Sequence, residues 1–266
     1  MQPFFISVPH SGEEVPSEAS WLKGLPEELL MCDVDRFVDR IYEPEARRLQ
    51  IPIRVAKIHR YLCDLNRLPE DVDAGTVQGA PSAAGKFSRG FIWGITTTRQ
   101  VLLPQPISAS LHRSFVDRYY RPFHDSIEAE YRFFREKGFK KIFHLDAHSM
   151  PSVGTSEHRD PGERRADIVV SDCHGKSCEV RFKDLVVRAY EGAGFKVAYN
   201  WPYFGGRITE IYGRPELGQH AIQVEMNRDL YMDEGTKKLK AGSTEIGRRV
   251  GQALETIRNG VPALLN

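Results

Sequence analysis

The chain has 266 residues, 41% of them hydrophobic and 27% charged, which is the balance of a soluble globular protein long enough to bury a large core. Its 37 basic and 36 acidic side chains leave a formal net charge of +1, which gives no electrostatic reason to expect nucleic acid or an anionic membrane as partner. The absence of a basic leader, a cleavage-site pattern or an apolar run of membrane length makes the cytoplasm the default compartment, and four cysteines without a C-x-x-C pair argue against a disulfide framework or a thiolate zinc site.

In chain order, an apolar run predicts a strand over 3–9 that ends at "HSG". A helix is expected over 27–49, with Leu30, Val34, Phe37, Val38 and Ile41 on one stripe. A strand over 52–58 leads into "HRYLCDLNR". The stretch 69–106, rich in Pro, Gly, Ala, Ser and Thr, is long for a plain connection and reads as an active-site flap or an excursion. A helix over 107–137 should be kinked or split at Pro122. A strand follows at 140–147, then a strand at 166–171, a helix at 177–193, strands at 195–200 and 220–226, and a helix at 234–258. Strands that alternate with long helices predict one α/β domain over 1–266 with a largely parallel sheet.

Ligands of such sheets sit beyond the carboxyl ends of the strands. His10 and His148 both stand there, each followed by Ser after an apolar strand. Along an extended strand His144, Asp146 and His148 share one face. Two converging imidazoles with a carboxylate nearby make a plausible zinc site. His144 reads as a core or supporting residue, and the six other histidines have no comparable context. For the third ligand, Glu13 has a compact H-x-x-E spacing from His10, and Asp35 lies at the edge of the first helix's apolar stripe with Asp39 one turn on. Glu225 stands near the end of "HAIQVEM", a run otherwise fit for burial; it is either a general base or the partner of Arg228. Arg60, Asn66 and Arg67 could bind carboxylates. In "YFGGRITEIYG", the paired glycines before Arg207 and Tyr212 suit either a ligand-approaching lid or an ordinary turn.

Seven fragments in order, "VPHSG", "DVDRFVDRIY", "HRYLCDLNR", "HLDAHSM", "ADIVVSDCHGKSC", "YFGGRITEIYG" and "QVEMNRDLYMDE", resemble the N-formylglutamate amidohydrolase family. The resemblance implies a three-layer α/β/α fold with a mixed, largely parallel sheet, like that of the zinc carboxypeptidases (phosphorylase/hydrolase-like). It implies one Zn²⁺, or another divalent metal, held by His10, His148 and a carboxylate. The motif position favours Asp35 over Glu13. Glu225 would be the general base and Arg60 a second catalytic group. Asn66, Arg67, Arg207 and Tyr212 would contact a small anionic N-acyl amino acid, with N-formylglutamate the model substrate. Another N-acyl amino acid or small peptide, or a non-catalytic relative that only binds acidic ligands, are the alternatives. This chain departs from the family pattern at Arg207 (an aromatic there), Glu210 (a basic residue there) and Ala147 (often Cys there). A pocket-lining Glu210 would weaken binding of a dianion.

Overall fold

The computed structural model describes residues 1–80 and 89–265. Six strands, β1 (Phe4–Val8), β2 (Ile53–Val55), β3 (Ile142–Met150), β4 (Ile168–Ser171), β5 (Val197–Tyr199) and β6 (Gln219–Asn227), form one sheet in the order β2-β1-β3-β6-β4-β5. All neighbours pair parallel except β4 with β6, so the sheet is mixed and largely parallel. A two-stranded ribbon, β7 (Met232–Asp233) with β8 (Lys238–Leu239), stands apart. The helices are α1 (Glu27–Leu30), α2 (Val38–Arg48), α3 (Ala109–Phe115), α4 (Arg121–Glu136), α5 (Val180–Gly192), α6 (Arg207–Tyr212) and α7 (Ser243–Gly260). Among the described residues no helix is long and apolar enough to cross a membrane.

Alternation along the strands decides which face is dry. Phe143, Leu145 and Ala147 of β3 and Ile222, Val224 and Met226 of β6 meet α2, α5 and α7 in one core. Phe5, Ile142 and Ala221 start a second core under α4 on the opposite face. Farther along that face the apolar residues give way to Ser7, His144, Asp146, His148, Gln223 and Glu225, all buried. Register sets Asp146 between Ser7 and Gln223, and sets His148 opposite Glu225. A polar row this deep has to be internally paired or used.

The helix expected over 27–49 is interrupted. Only α1 and α2 are helical, and Phe37, which precedes α2, takes φ 69°. Residues 31–37 are therefore free to turn toward the sheet, and the Asp35 amide bonds the His10 carbonyl at 3.0 Å. Asp35 thus reaches the site from a loop and not from the edge of a helical stripe. The 107–137 helix holds together as α3, a π-helical stretch Val116–Tyr120 and α4, with Pro122 at the start of the last piece, where its missing N–H costs least. The last helix begins only at Ser243, because the ribbon β7–β8 takes up the preceding residues. β3 runs three residues beyond the expected strand end, so His148 is itself a strand residue.

Candidate metal centre and active-site cavity

His10 follows β1, Asp35 sits on the loop before α2, and His148 is near the end of β3. One ligand atom from each lies within 4.8 Å of the others, and all three side chains are buried. Asp35 Oδ2 is 3.0 Å from His148 Nδ1 and 3.6 Å from His10 Nδ1. Two ligands about 2.1 Å from a shared tetrahedral ion are separated by roughly 3.4 Å, so these spacings suit one cation. Backbone crowding holds the first ligand in place: a Cβ on Gly12 would fall 2.4 Å from the Ile58 carbonyl oxygen, so only glycine lets the "HSG" segment cross there.

The far nitrogen of each imidazole is braced by a carboxylate. His10 Nε2 donates to Asp64 Oδ1 at 2.7 Å, and His148 Nε2 donates to Asp146 Oδ2 at 2.8 Å. That places a proton on each Nε2 and turns both Nδ1 atoms toward Asp35; with a cation bound, the Nδ1 lone pairs would be its ligands, the arrangement in which second carboxylates orient metal-binding histidines and raise their basicity. Asp64 accepts three more bonds, from the Asn66 amide (2.9 Å), Arg60 (3.0 Å) and Trp93 Nε1 (3.0 Å). Burial opposes its charge, but His10, Arg60 and Arg67 outweigh burial and hold the carboxyl well below the usual range. Asp146 accepts from Ser7 at 2.5 Å; Ser7 in turn bonds His144 at 2.7 Å, and Tyr131 bonds His144 at 3.2 Å. Asp35 Oδ1 accepts from Arg228 at 3.0 Å. Burial also opposes the Asp35 charge, and the two imidazoles override it.

Glu225 is 6% exposed and stands beside this group. Gln223 Nε2 donates to its Oε1 at 2.8 Å. Burial pushes its carboxyl up to about 7; Asp35 adds to the rise, while His148, Arg228 and Arg60 oppose it. Arg228 gives its guanidinium to Asp35, so the pairing expected as the alternative role for Glu225 is not formed. His10, Asp35, His148 and Glu225 all line one cavity of about 810 Å³.

A family model described as N-formylglutamate amidohydrolase matches residues 2–232. The chain belongs to the N-formylglutamate amidohydrolase family. Relatives named N-formylglutamate deformylase, from Pseudomonas putida and Pseudomonas aeruginosa, are 29% and 30% identical over 235 and 237 residues. These matches span 87% of this chain in each case and 82% and 83% of the relatives. The structure of N-formylglutamate amidohydrolase from Ralstonia eutropha JMP134 matches with a TM-score of 0.84 at 29% identity, covering 97% of this chain and 92% of that one. The Agrobacterium tumefaciens gene product Atu2144 shares the fold, with a TM-score of 0.67 at 20% identity over 96% of this chain and 92% of its own.

In this member of the N-formylglutamate amidohydrolase family, Arg60, Asn66 and Arg67 line the cavity with the metal-site residues. Arg60 lies 4.7 Å over the Trp93 ring and bonds the Asp33 carbonyl and Asp64. Arg67 bonds the carbonyls of Arg89 (2.6 Å) and Asn66 (2.7 Å). The Ile208 amide donates to Asn66 Oδ1 at 2.7 Å, which turns Asn66 Nδ2 to a point 3.5 Å from His148 Nε2. Two expected contact residues are placed elsewhere. Arg207 pairs with Asp71 (3.0 Å) and Glu210 (3.2 Å) and is not among the cavity-lining residues, and Tyr212 packs below, bonded to His124 at 2.9 Å. Glu210 does line the cavity, and Arg207 bridges it to Asp71. Glu13 is held by Arg36 at 2.9 Å, away from the imidazoles, and Asp39 is not a lining residue either. The 69–106 stretch supplies Arg89, Trp93 and Thr97 to the wall; its residues 81–88 lie outside the described residues. His158 and His174 also line the cavity, although neither ends a strand and no pattern singled them out.

Proposed function

We infer that this chain is a metal-dependent amidohydrolase, acting as one domain over 1–266, that cleaves the N-formyl amide of an acidic amino acid such as N-formyl-L-glutamate to formate and glutamate. The observation that carries this is a buried carboxyl, Glu225, raised to about 7 and facing two imidazoles and a carboxylate whose free donor atoms converge. The names of the related proteins support the formyl amide as the bond cleaved.

A zinc ion, or another divalent cation, held by His10, Asp35 and His148 would supply Lewis acidity and a lowered water pKa. Glu225 takes the proton of the attacking water as its oxygen adds to the formyl carbon. The same carboxyl then gives that proton to the amine nitrogen as the C–N bond breaks, so no net proton is left on the protein. Burial raises this carboxyl above the ordinary range, which favours its taking up the proton it must later give back. Asp64 and Asp146 hold the two imidazoles in register, and Arg60 acts through its bond to Asp64. Asn66 Nδ2, fixed by the Ile208 amide, and the Arg67 guanidinium orient the amino-acid carboxylate.

Metal analysis of the purified protein should find close to one zinc-type ion per chain. Formate release should be fastest from N-formylglutamate in a panel of N-formyl and N-acetyl amino acids. Glu225→Gln should keep the metal and lose about a thousandfold in kcat. Wild-type turnover in that variant would remove Glu225 as the base. Stoichiometric metal with no hydrolysis of any acyl amino acid would instead assign a binding protein.

A further inference from the structure

The cations of the cavity can be sorted by what already uses them. Arg60 holds Asp64, and Arg228 holds Asp35. Arg89 bonds the Ile95 and Thr96 carbonyls and lies 3.6 Å from Glu157. Arg67 is buried beside Asp64 and Asp71 and bonds two backbone carbonyls. Arg159 and Lys176 also line the cavity, are exposed, and make no side-chain hydrogen bond or ion pair among the described residues. They come from different loops, the one between β3 and β4 and the one between β4 and α5. Phe204 links the two loops. The Arg159 guanidinium lies 4.2 Å from the Phe204 ring centroid, the His174 ring is 4.1 Å from it, and the Cys173 amide bonds the Phe204 carbonyl at 2.6 Å. An arginine laid on an aromatic face is held in place with its edge donors still free. Left-handed φ values at Cys173 (54°), His174 (58°) and Gly175 (79°) turn the second loop so that Cys173, His174, Lys176 and Ser177 all reach the wall.

We propose that Arg159 and Lys176 form a second anion subsite in the wall of the cavity, which takes the side-chain carboxylate of an acidic acyl amino acid and so selects dianionic over monoanionic substrates. The subsite rests on the hydrolase assignment above and adds the origin of its charge selectivity. Glu210 cannot serve, because it is anionic, and Arg207 is committed to Asp71 and Glu210. An exposed pair of cations is screened by salt. The selectivity it confers therefore weakens as ionic strength rises.

The test compares wild-type protein with the Arg159→Met, Lys176→Met double variant; both positions are exposed, so the fold should be retained. KM for N-formylglutamate should rise about tenfold in the double variant, about 1.4 kcal/mol, whereas KM for N-formylglutamine should change less than twofold. Between 0.05 and 0.5 M NaCl the wild-type KM for the dianion should rise, and the variant should have lost most of that dependence. Arg159→Lys should retain most of the preference. In parallel, calorimetry measures binding of L-glutamate against L-glutamine, which needs no turnover. Loss of the glutamate preference in the variant supports the subsite even if no formate is released, and the hydrolase assignment alone then falls. Active enzyme whose acid-over-amide preference and salt dependence survive the double substitution overturns the subsite and leaves the reaction standing.

Discussion

Replacing Asp146 with asparagine isolates the bracing of one imidazole from everything else. The side chain is fully buried and the change is isosteric, so no cavity opens. Two donors point at it, His148 Nε2–H at 2.8 Å and the Ser7 hydroxyl at 2.5 Å, and an amide can accept only one of them without rearrangement. If the amide oxygen faces His148, its NH₂ faces Ser7. The Ser7 hydroxyl must then turn to His144, and His144 must move its proton toward Tyr131, 3.2 Å away. That reversal is available at low cost. What asparagine cannot restore is the negative charge, the leading influence holding His148 well above its ordinary pKa against the opposing effect of burial. Loss of such a partner weakens metal binding by about 10- to 100-fold, or roughly 1.4–2.7 kcal/mol. Competition against a chromophoric chelator reads the zinc affinity directly, and a thermal melt of the metal-free protein confirms the fold. Ser7→Ala is the control: it removes one neutral donor and keeps the charge, and it should cost less than about threefold. A zinc Kd for Asp146→Asn within twofold of wild type would refute the assignment of His148 as a ligand through Nδ1.

Gly206→Ala should be costly, because its Cβ would fall 2.1 Å from Asn66 Nδ2 and push that amide out of the cavity wall. A loss of about 1–3 kcal/mol, or a fall of several degrees in Tm, should accompany reduced kcat/KM; a neutral effect on both would show that Asn66 is not held by this contact. In metal-free protein, stability should fall with acid. Burial pushes His59, His124 and His144 each down to about 4, so between pH 6.5 and 4 the unfolded chain takes up protons that the folded chain refuses. Each histidine withdraws up to about 3 kcal/mol over that window. Glu225, raised to about 7, works in the opposite sense between pH 7 and 4.5, and the raised His148 contributes a constant amount below 6.5. Burial also holds His158 down to about 4 and lowers His112 and His220, so the losses outnumber the one gain, and urea unfolding at pH 7.0, 6.0 and 5.0 should show stability falling with acid; a flat profile would mean that these rings protonate in place.

Much of the site was legible because it sits at strand ends. An apolar run that gives way to His-Ser marks the carboxyl-terminal part of a β-strand, and the two-residue period along 144–148 puts His144, Asp146 and His148 on one face. The same period identified Glu225 as a charge in a segment otherwise fit for burial, and strand register then set it opposite His148. The carboxylate of the trio was harder. Helical periodicity put Asp35 at the edge of a stripe, whereas a left-handed residue at Phe37 ends the helix and lets a loop deliver it. Local sequence does not encode that turn, because positive φ at a phenylalanine is tolerated only when surrounding contacts repay its strain. The roles of Asp64, Asp146 and Ser7, the withdrawal of Arg207 into a bridge with Asp71 and Glu210, and the two cations left over at the wall were likewise decided only by tertiary structure. Periodicity states which way a side chain faces along its own element. Which partner waits there depends on segments as far apart as Asp71 and Arg207, and only the folded chain brings those together.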